Sequence, residues 1–222
     1  MAAREGDLEI LKILLNKSPK AYKSRSKNGR SPLHTACLSG HAEIVQLILE
    51  IDLNEIASRD SCGATPLMEA VRGGHASLVN YLTSASPQSV HLVDAMRRNS
   101  LHLAAESGHD HLVRILLASD LRINEGPITP LHWAAKEGHA QTIQTLIELG
   151  ADPHSKDCGH RVPLALAIGG QHVEASLVLL KHSQNLMDLK LLDLAKSSAM
   201  KKSLQLFFKT QWNLILYLPG TD

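Results

Sequence analysis

The chain has few of the residues on which nucleic-acid-binding and membrane-binding proteins depend. Aromatic residues make up 3% of its 222 residues, which is too few for the stacking platforms that bind single-stranded RNA or DNA. Lys and Arg number 23 against 22 Asp and Glu, so the formal net charge is only +1. Such a balance gives no electrostatic attraction to nucleic acid or to an acidic membrane. We therefore expect neither a nucleic acid nor a membrane as a direct partner.

Cysteine and long apolar runs are also scarce. The three cysteines, Cys37, Cys62 and Cys158, are an odd number and no pair has the spacing of metal ligands. This usage favours a reducing compartment, and we expect a cytoplasmic location, with the nucleus as a second one. The first residues, "MAAREGDLEI", lack the basic and apolar regions of a signal peptide. The longest apolar run, "LILYL", is far shorter than the roughly 20 residues of a membrane-spanning helix.

Catalytic motifs are missing from the sequence. It contains no Gly-rich phosphate loop, no HExxH, no CxxC and no GxSxG. Thirteen histidines suggest a metal site, but most of them recur at two positions of a repeat and are predicted to join the helix starts of adjacent units through hydrogen bonds. We therefore predict that the chain is not an enzyme and holds no metal and no cofactor. The recurring histidines are His34, His102 and His132 at one position and His41, His75, His109, His139 and His172 at the other.

What the sequence does contain is a repeat. "SPLHTACLSGH" at residues 31–41 returns as "TPLMEAVRGGH" at 65–75 and "TPLHWAAKEGH" at 129–139. The leucine of this motif occurs at residues 33, 67, 101, 131 and 164, which are 34, 34, 30 and 33 residues apart. Self-similarity at such a period indicates supersecondary units that stack on one another.

Each position of the repeat has a physical reason. Ser31 supplies an N-cap oxygen, and Pro32 stands at the first helical position, where its missing N–H costs nothing. Gly40 can end the helix in the left-handed conformation. A second helix follows, with apolar residues at i, i+1, i+4 and i+5 from Ile44 onward. The unit is therefore predicted to be a helix–turn–helix.

The "TPLHxA" signature and the period resemble the ankyrin repeat family over about residues 1–182. The resemblance implies an all-α ankyrin-repeat solenoid of stacked helix–turn–helix units with hairpin-like connections. We assign the solenoid to residues 1–190, with a partial repeat over 1–25 and about five repeats after it. The first repeat lacks a hairpin and a TPLH motif, and we interpret it as cut. Residues 191–210 are predicted to be a degenerate capping repeat, and 211–222 an unmatched apolar tail.

Residues at the hairpin tips and near the end of each first helix should face the concave side of such a stack. Their charges are of both signs, whereas a nucleic-acid-binding stripe would be positive throughout. This side is either a solvated face or a protein-binding groove, and we expect a monomer. The predicted residues are Lys27, Asn28, Arg30, Arg72, Met96, Arg98, Glu106, Glu125, Lys136, Glu137 and Arg161, with Ser61, Ala64 and Ile128 between them.

Stretches outside the repeat consensus, such as "RDSCGATPLMEA" and "KEGHAQTIQTL", resemble ankyrin repeat proteins that are cofactors of alanyl-tRNA synthetase. The resemblance implies the catalytic domain of that synthetase as the partner. It also implies the capture of misactivated serine on lysine side chains, which limits serine mistranslation. The lysine of this chain that matches a serine acceptor is Lys23. The sequence after residue 182 matches poorly.

The surroundings of Lys23, "SPKAYKSRSK", are polar and turn-like, and they place it between the first helix pair and the next hairpin. A loop lysine is ordinarily only solvated. Repulsion from Lys20, Arg25 and Lys27 is predicted to lower the pKa of Lys23 and so to make its amine a better nucleophile. Two alternatives to the synthetase cofactor stay open: a generic ankyrin scaffold or adaptor for an unrelated protein, and an inactive truncated isoform.

Overall fold

The computed structural model describes residues 2–182, 195 and 197–216, and all the regular elements among them are helices. This confirms the all-α class. The helices follow one another in antiparallel pairs, as the repeat predicts, and one long helix follows the last pair. The pairs are α1 (Ala2–Glu5) and α2 (Leu8–Lys17), α3 (Pro32–Ser39) and α4 (Ala42–Ile51), α5 (Pro66–Arg72) and α6 (Ala76–Ala85), α7 (Ser100–Glu106) and α8 (Asp110–Leu117), α9 (Pro130–Glu137) and α10 (Ala140–Glu148), and α11 (Pro163–Gly169) and α12 (Val173–Lys181); the long helix is α13 (Ser198–Leu216).

The first helices α3, α5 and α7 each begin at a capping side chain. The side chain of Ser31 accepts a hydrogen bond from the backbone N–H of His34, and Thr65 plays the same role at the start of α5. Asn99, which replaces the usual Thr before α7, accepts from two backbone N–H groups. Each of these side chains satisfies a helix donor that would otherwise have no partner. The predicted N-caps Ser31 and Thr65 are therefore confirmed.

The glycine at the end of each first helix meets two requirements at once. Gly40 has a φ of 83°, a left-handed conformation that most residues avoid. A Cβ built on Gly40 would also lie 2.6 Å from the imidazole of His75 in the next unit. The Gly-His pair of the repeat is therefore a close contact between neighbouring units as well as a helix stop.

The recurring histidines join adjacent units, as predicted, although their partners are carbonyl groups and not helix starts. The Nε2–H of His34 donates to the carbonyl of Ala64 at 3.0 Å, in the connection that leads to the next unit. The histidines of the second position reach back to the end of the preceding first helix. His41, His75, His109, His139 and His172 contact the carbonyls of Arg4, Leu38, Arg72, Glu106 and Lys136 at 2.9 to 3.2 Å.

One continuous core runs along the stack. The leucine that marks each repeat, from Leu33 to Leu164, is fully buried. First helices pack side by side, α3 against α5, α5 against α7, α7 against α9 and α9 against α11, and the second helices form a parallel layer behind them. No unit could bury this surface alone, so stacking of neighbours provides most of the stability.

The connections between pairs are tight turns with a recurring aspartate. One carboxylate oxygen of Asp60 accepts hydrogen bonds from the backbone N–H groups of Cys62 and Ala64, and Asp94 and Asp157 form the same turn. The connection before α9 is shorter and lacks this aspartate, as the 30-residue spacing predicts. There His102 binds the carbonyl of Glu125, whereas His34 binds the carbonyl of Ala64 in the corresponding connection.

The end of the stack is described only in part. The capping repeat was predicted over 191–210. Within it, Ala195, Met200 and Leu204 are buried, and α13 packs against α12. The helix continues to Leu216, past the boundary that we placed at residue 210, and half of the predicted tail, residues 217–222, lies outside the described residues. Among the helices of the described part of the chain, none has an apolar stretch long enough to cross a membrane.

Candidate functional site

The first helices and the connections before them present three rows of side chains to one side of the stack, here called the concave face. The rows follow from the repeat register, since equivalent positions of successive units lie next to one another. The turn row is Arg30, Ala64, Arg98, Ile128 and Arg161; the middle row is Thr35, Glu69, Leu103, Trp133 and Leu166; the end row is Leu38, Arg72, Glu106, Lys136 and Gly169.

A buried carboxylate joins the rows in the N-terminal half of the concave face. Glu69 is fully buried, and Arg30 of the preceding unit reaches it at 3.2 Å. Arg72, one turn further along the same helix, lies 2.9 Å from the carboxylate. Burial raises the pKa of Glu69, and the two guanidinium groups partly offset that effect. The predicted site residues Arg30 and Arg72 therefore lie on this face, each with part of its charge neutralised.

The centre of the concave face is a second ion cluster beside an indole ring. Arg98 binds Asp94 and Glu106, each at 2.7 Å, and its guanidinium lies 5.1 Å from the ring centre of Trp133. Lys136 approaches the same ring at 4.8 Å. Arg98, one of the predicted concave-face residues, is only 8% exposed because both carboxylates and the indole cover it. Its role is to hold the central turn against α7 and α9.

A groove opens on the C-terminal half of the concave face. Its volume is about 540 Å³, and its walls include Ile128, Trp133 and Leu166 together with the cations Lys136 and Arg161. The groove exists because the end row has no side chain at Gly169, where a Cβ would meet no atom within 4 Å. We call this feature the Trp133 groove.

The remaining predicted residues lie beside the rows. Met96, at a turn tip, is 62% exposed. Lys27 and Asn28 are at the first tip, where the Asn28 carbonyl accepts from the backbone N–H of Ser61. The carboxylate of Glu125 accepts a hydrogen bond from the Asn99 side chain, and Glu137 pairs with Lys136 at 3.3 Å. Tip residues and helix residues thus form separate parts of the predicted site.

Lys23 lies in a short 3₁₀ turn, Ala21–Lys23, between α2 and the next connection, where the sequence placed it. The prediction of a lowered pKa is wrong. Its ammonium group forms an ion pair with Asp52 at 2.9 Å, and the hydrogen bond and charge of this carboxylate raise the pKa of Lys23. Arg25, expected to repel it, is paired with Glu55 instead. In this arrangement the amine is protonated and held by its partner.

Several residues of the concave face were missed by sequence reasoning. Glu69, Trp133 and Leu166 are in the middle row, the "x" of TPLHxA, and only the tips and helix ends had been assigned to the concave side. The signal was present in the sequence, because this position varies between units while the next position is always alanine. Gly169 was overlooked because a glycine near the end of a helix is ordinarily taken as a helix stop.

The comparisons with known proteins agree with this geometry. A family model that describes ankyrin repeats in three copies matches residues 1–94 and 84–157. The chain belongs to the ankyrin repeat family. The crystal structure of the human ASB11 ankyrin repeat domain superposes with a TM-score of 0.75 and 31% sequence identity, over 93% of this chain and 95% of that one.

Curated relatives match over a shorter stretch. Rabankyrin-5 of Mus musculus and Rabankyrin-5 of Homo sapiens are each 41% identical over 54 residues, which is 24% of this chain and 5% of either relative. The chain therefore matches only a small part of these proteins. Ankyrin repeats generally serve as non-enzymatic scaffolds for protein–protein interaction, and membership of the family implies that this chain binds a protein partner.

Proposed function

We propose that this ankyrin protein is a monomeric cofactor of alanyl-tRNA synthetase in the cytoplasm and nucleus, and that its concave face binds the catalytic domain of the synthetase. The stretches that resemble ankyrin repeat domain-containing protein 16 support the choice of partner. Concave ankyrin surfaces are rigid and extended, which favours binding of a folded protein. The unrelated-partner scaffold is the alternative.

The observation that carries the proposal is the composition of the concave face. Charged groups alternate with apolar ones along the turn row, and the Trp133 groove offers an apolar wall beside cations that are still half exposed. Aromatic and cationic side chains at the centre of a polar surface are typical of protein interfaces.

In the proposed reaction, Lys23 accepts serine from seryl-adenylate. The neutral amine attacks the activated carbonyl carbon, an amide bond to serine forms, and adenylate leaves while the amine loses a proton. At a reference pKa of about 10.4, only about one lysine in a few thousand is neutral at pH 7. The ion pair with Asp52 reduces that fraction further. Docking must therefore separate Lys23 from Asp52, and the effective concentration beside the active site supplies the remaining advantage.

The test is to incubate the chain with alanyl-tRNA synthetase, ATP and isotopically labelled serine, and to map the adducts by peptide mass spectrometry. We expect label on Lys23 and none at that position in Lys23→Arg. Asp52→Asn should increase the yield at Lys23, because it removes the carboxylate that holds the amine protonated. Lys27, which is exposed on the nearest turn, is the internal control for unspecific acylation.

Two results would count against the proposal in different ways. If the two proteins bind but Lys23 carries no label, the serine-acceptor role is wrong and the docking role stands. If the chain does not bind the synthetase at all, the partner is wrong and the generic scaffold is the better interpretation.

A further inference from the structure

We propose that the Trp133 groove binds a segment of protein chain in which an acidic residue stands next to a large apolar residue. This inference rests on the proposed function only in taking a protein as the occupant of the concave face. It adds the chemistry of the segment that the groove recognises.

The apolar half of the groove fits one large side chain. Trp133, Ala165 and Leu166 form one wall, Ile128 closes the turn side, and the missing side chain at Gly169 leaves the space between them open. A volume of about 540 Å³ falls within the range of sites that enclose small ligands or side chains. A leucine, phenylalanine or similar residue would remove apolar surface from water on both sides of the contact.

The polar half of the groove offers hydrogen-bond donors. The side chains of Lys136 and Arg161 remain 54% and 58% exposed. Arg161 uses its Nε and one terminal nitrogen on Asp157, which leaves its other terminal nitrogen for a ligand. Among the described residues, Lys136 forms an ion pair only with the neighbouring Glu137, at 3.3 Å. Both groups are about half exposed, and a ligand carboxylate can replace Glu137 in this contact.

The acceptors that line the groove are already occupied. One oxygen of Asp157 accepts from the backbone N–H groups of Gly159 and Arg161, and the other accepts from the Arg161 guanidinium. The ring of His132 is bound at both nitrogens, by Thr129 and by the Arg161 carbonyl. A ligand therefore meets free donors but few free acceptors, and a carboxylate satisfies donors of this kind best.

The indole ring adds to the preference for an acid. Arg98 and Lys136 already lie near the ring of Trp133, at 5.1 and 4.8 Å. A third cation would be repelled by them, and the electron-rich face that could attract it is already in use. An acidic residue is attracted by the same charges, so the groove favours a negative side chain over a positive one.

The experiment is an array of short peptides with Gly and Ser flanks and two adjacent variable positions, probed with the purified full chain and followed up by fluorescence anisotropy. We expect binding, at peptide concentrations up to about 1 mM, by peptides that combine Asp or Glu with Leu, Ile, Met, Phe or Trp. Gly169→Leu, which fills the groove, should weaken binding by about tenfold or more. Ser84→Leu places the same side chain on the exposed surface of α6 and should have no effect.

A charge reversal gives an independent readout. Lys136→Glu should weaken binding of the acidic peptides and move the preference of the array towards Lys or Arg beside the apolar residue. The inference is overturned if no peptide binds, if wild type prefers basic peptides, or if Gly169→Leu binds as wild type does. The proposed function is tested separately, by binding of the same wild-type protein to the synthetase. The groove can therefore fail to bind acidic peptides while the proposed function holds, and the reverse is also possible.

Discussion

At the residue scale, one side chain often serves two units. His132 binds Thr129 at the start of its own helix through Nδ1, and the carbonyl of Arg161 in the next connection through Nε2. A carbonyl can only accept, so Nε2 carries a proton. The backbone N–H of Thr129 donates to Nδ1, so Nδ1 carries none and the imidazole is neutral. Burial lowers the pKa of His132, and the same cause lowers the pKa of His34 and His102. The contribution of these histidines to the contact between units therefore depends on pH.

We predict that His132→Met lowers the free energy of unfolding most above about pH 6.5, the unfolded histidine pKa. Because the folded pKa is depressed, the stabilisation by the neutral imidazole is present above the unfolded pKa and is lost as the pH falls through the folded pKa. Met68 occupies the same repeat position in α5, so the replacement is one that the fold already accommodates. Urea unfolding of both proteins from pH 5 to pH 8 measures the difference.

The comparison with the variant is needed because Glu69 changes stability in the opposite direction. Its pKa is raised by burial, so acidification favours its folded form. The difference between wild type and His132→Met removes this contribution, since both proteins contain Glu69. A destabilisation that stays constant or grows on acidification would contradict the assignment of a neutral, buried imidazole.

At the element scale, the sequence predicts the helices well because their signals are local. Ser31, Pro32 and Gly40 determine where α3 begins and ends, and their equivalents do the same in other units. The ion pair of Lys23 could not be predicted in this way. Its partner Asp52 lies 29 residues further along the chain and comes within contact distance only after α4 has packed. The burial of Arg98 could not be predicted for the related reason that Trp133 comes from the following unit.

Small residues set the distance between first helices. The repeat position of Ala134 carries alanine in every unit from α3 to α11, at residues 36, 70, 104, 134 and 167, and each of these alanines is fully buried. The next position varies and holds Ala135 in α9 but Val71 in α5 and Ile168 in α11. The first position therefore lies at the closest approach of neighbouring helices.

We predict that Ala134→Leu lowers the free energy of unfolding by about 1–3 kcal/mol, because the larger side chain overpacks the contact between first helices. Ala135→Val is the matched control, since α5 already has valine at that position, and it should cost less. Chemical denaturation followed by circular dichroism measures both. Equal effects of the two substitutions, or none from Ala134→Leu, would show that the assigned repeat register is wrong.

At the scale of the whole molecule, the net charge of +1 does not show how the charged side chains are arranged. Most concave charges neutralise one another within the chain, as Arg30 and Arg72 do on Glu69. The cations beside the Trp133 groove are also paired, Lys136 with Glu137 and Arg161 with Asp157, but their side chains remain more than half exposed. Composition cannot predict this arrangement of charges, because it depends on which side chains of neighbouring units come into contact. The repeat alone was sufficient to predict the solenoid.

The most direct test of the account is a kinetic measurement of binding between the chain and the immobilised catalytic domain of alanyl-tRNA synthetase. On the concave face, Lys136→Glu combined with Arg161→Glu should slow association by about tenfold at low salt and reduce its salt dependence, because the proposed partner segment is acidic. Arg114→Glu, on the second helix α8 and exposed to a similar degree, is the control and should associate as wild type does. Association that is unchanged by the concave pair, or slowed only by Arg114→Glu, would contradict the claim that the concave face is the binding surface.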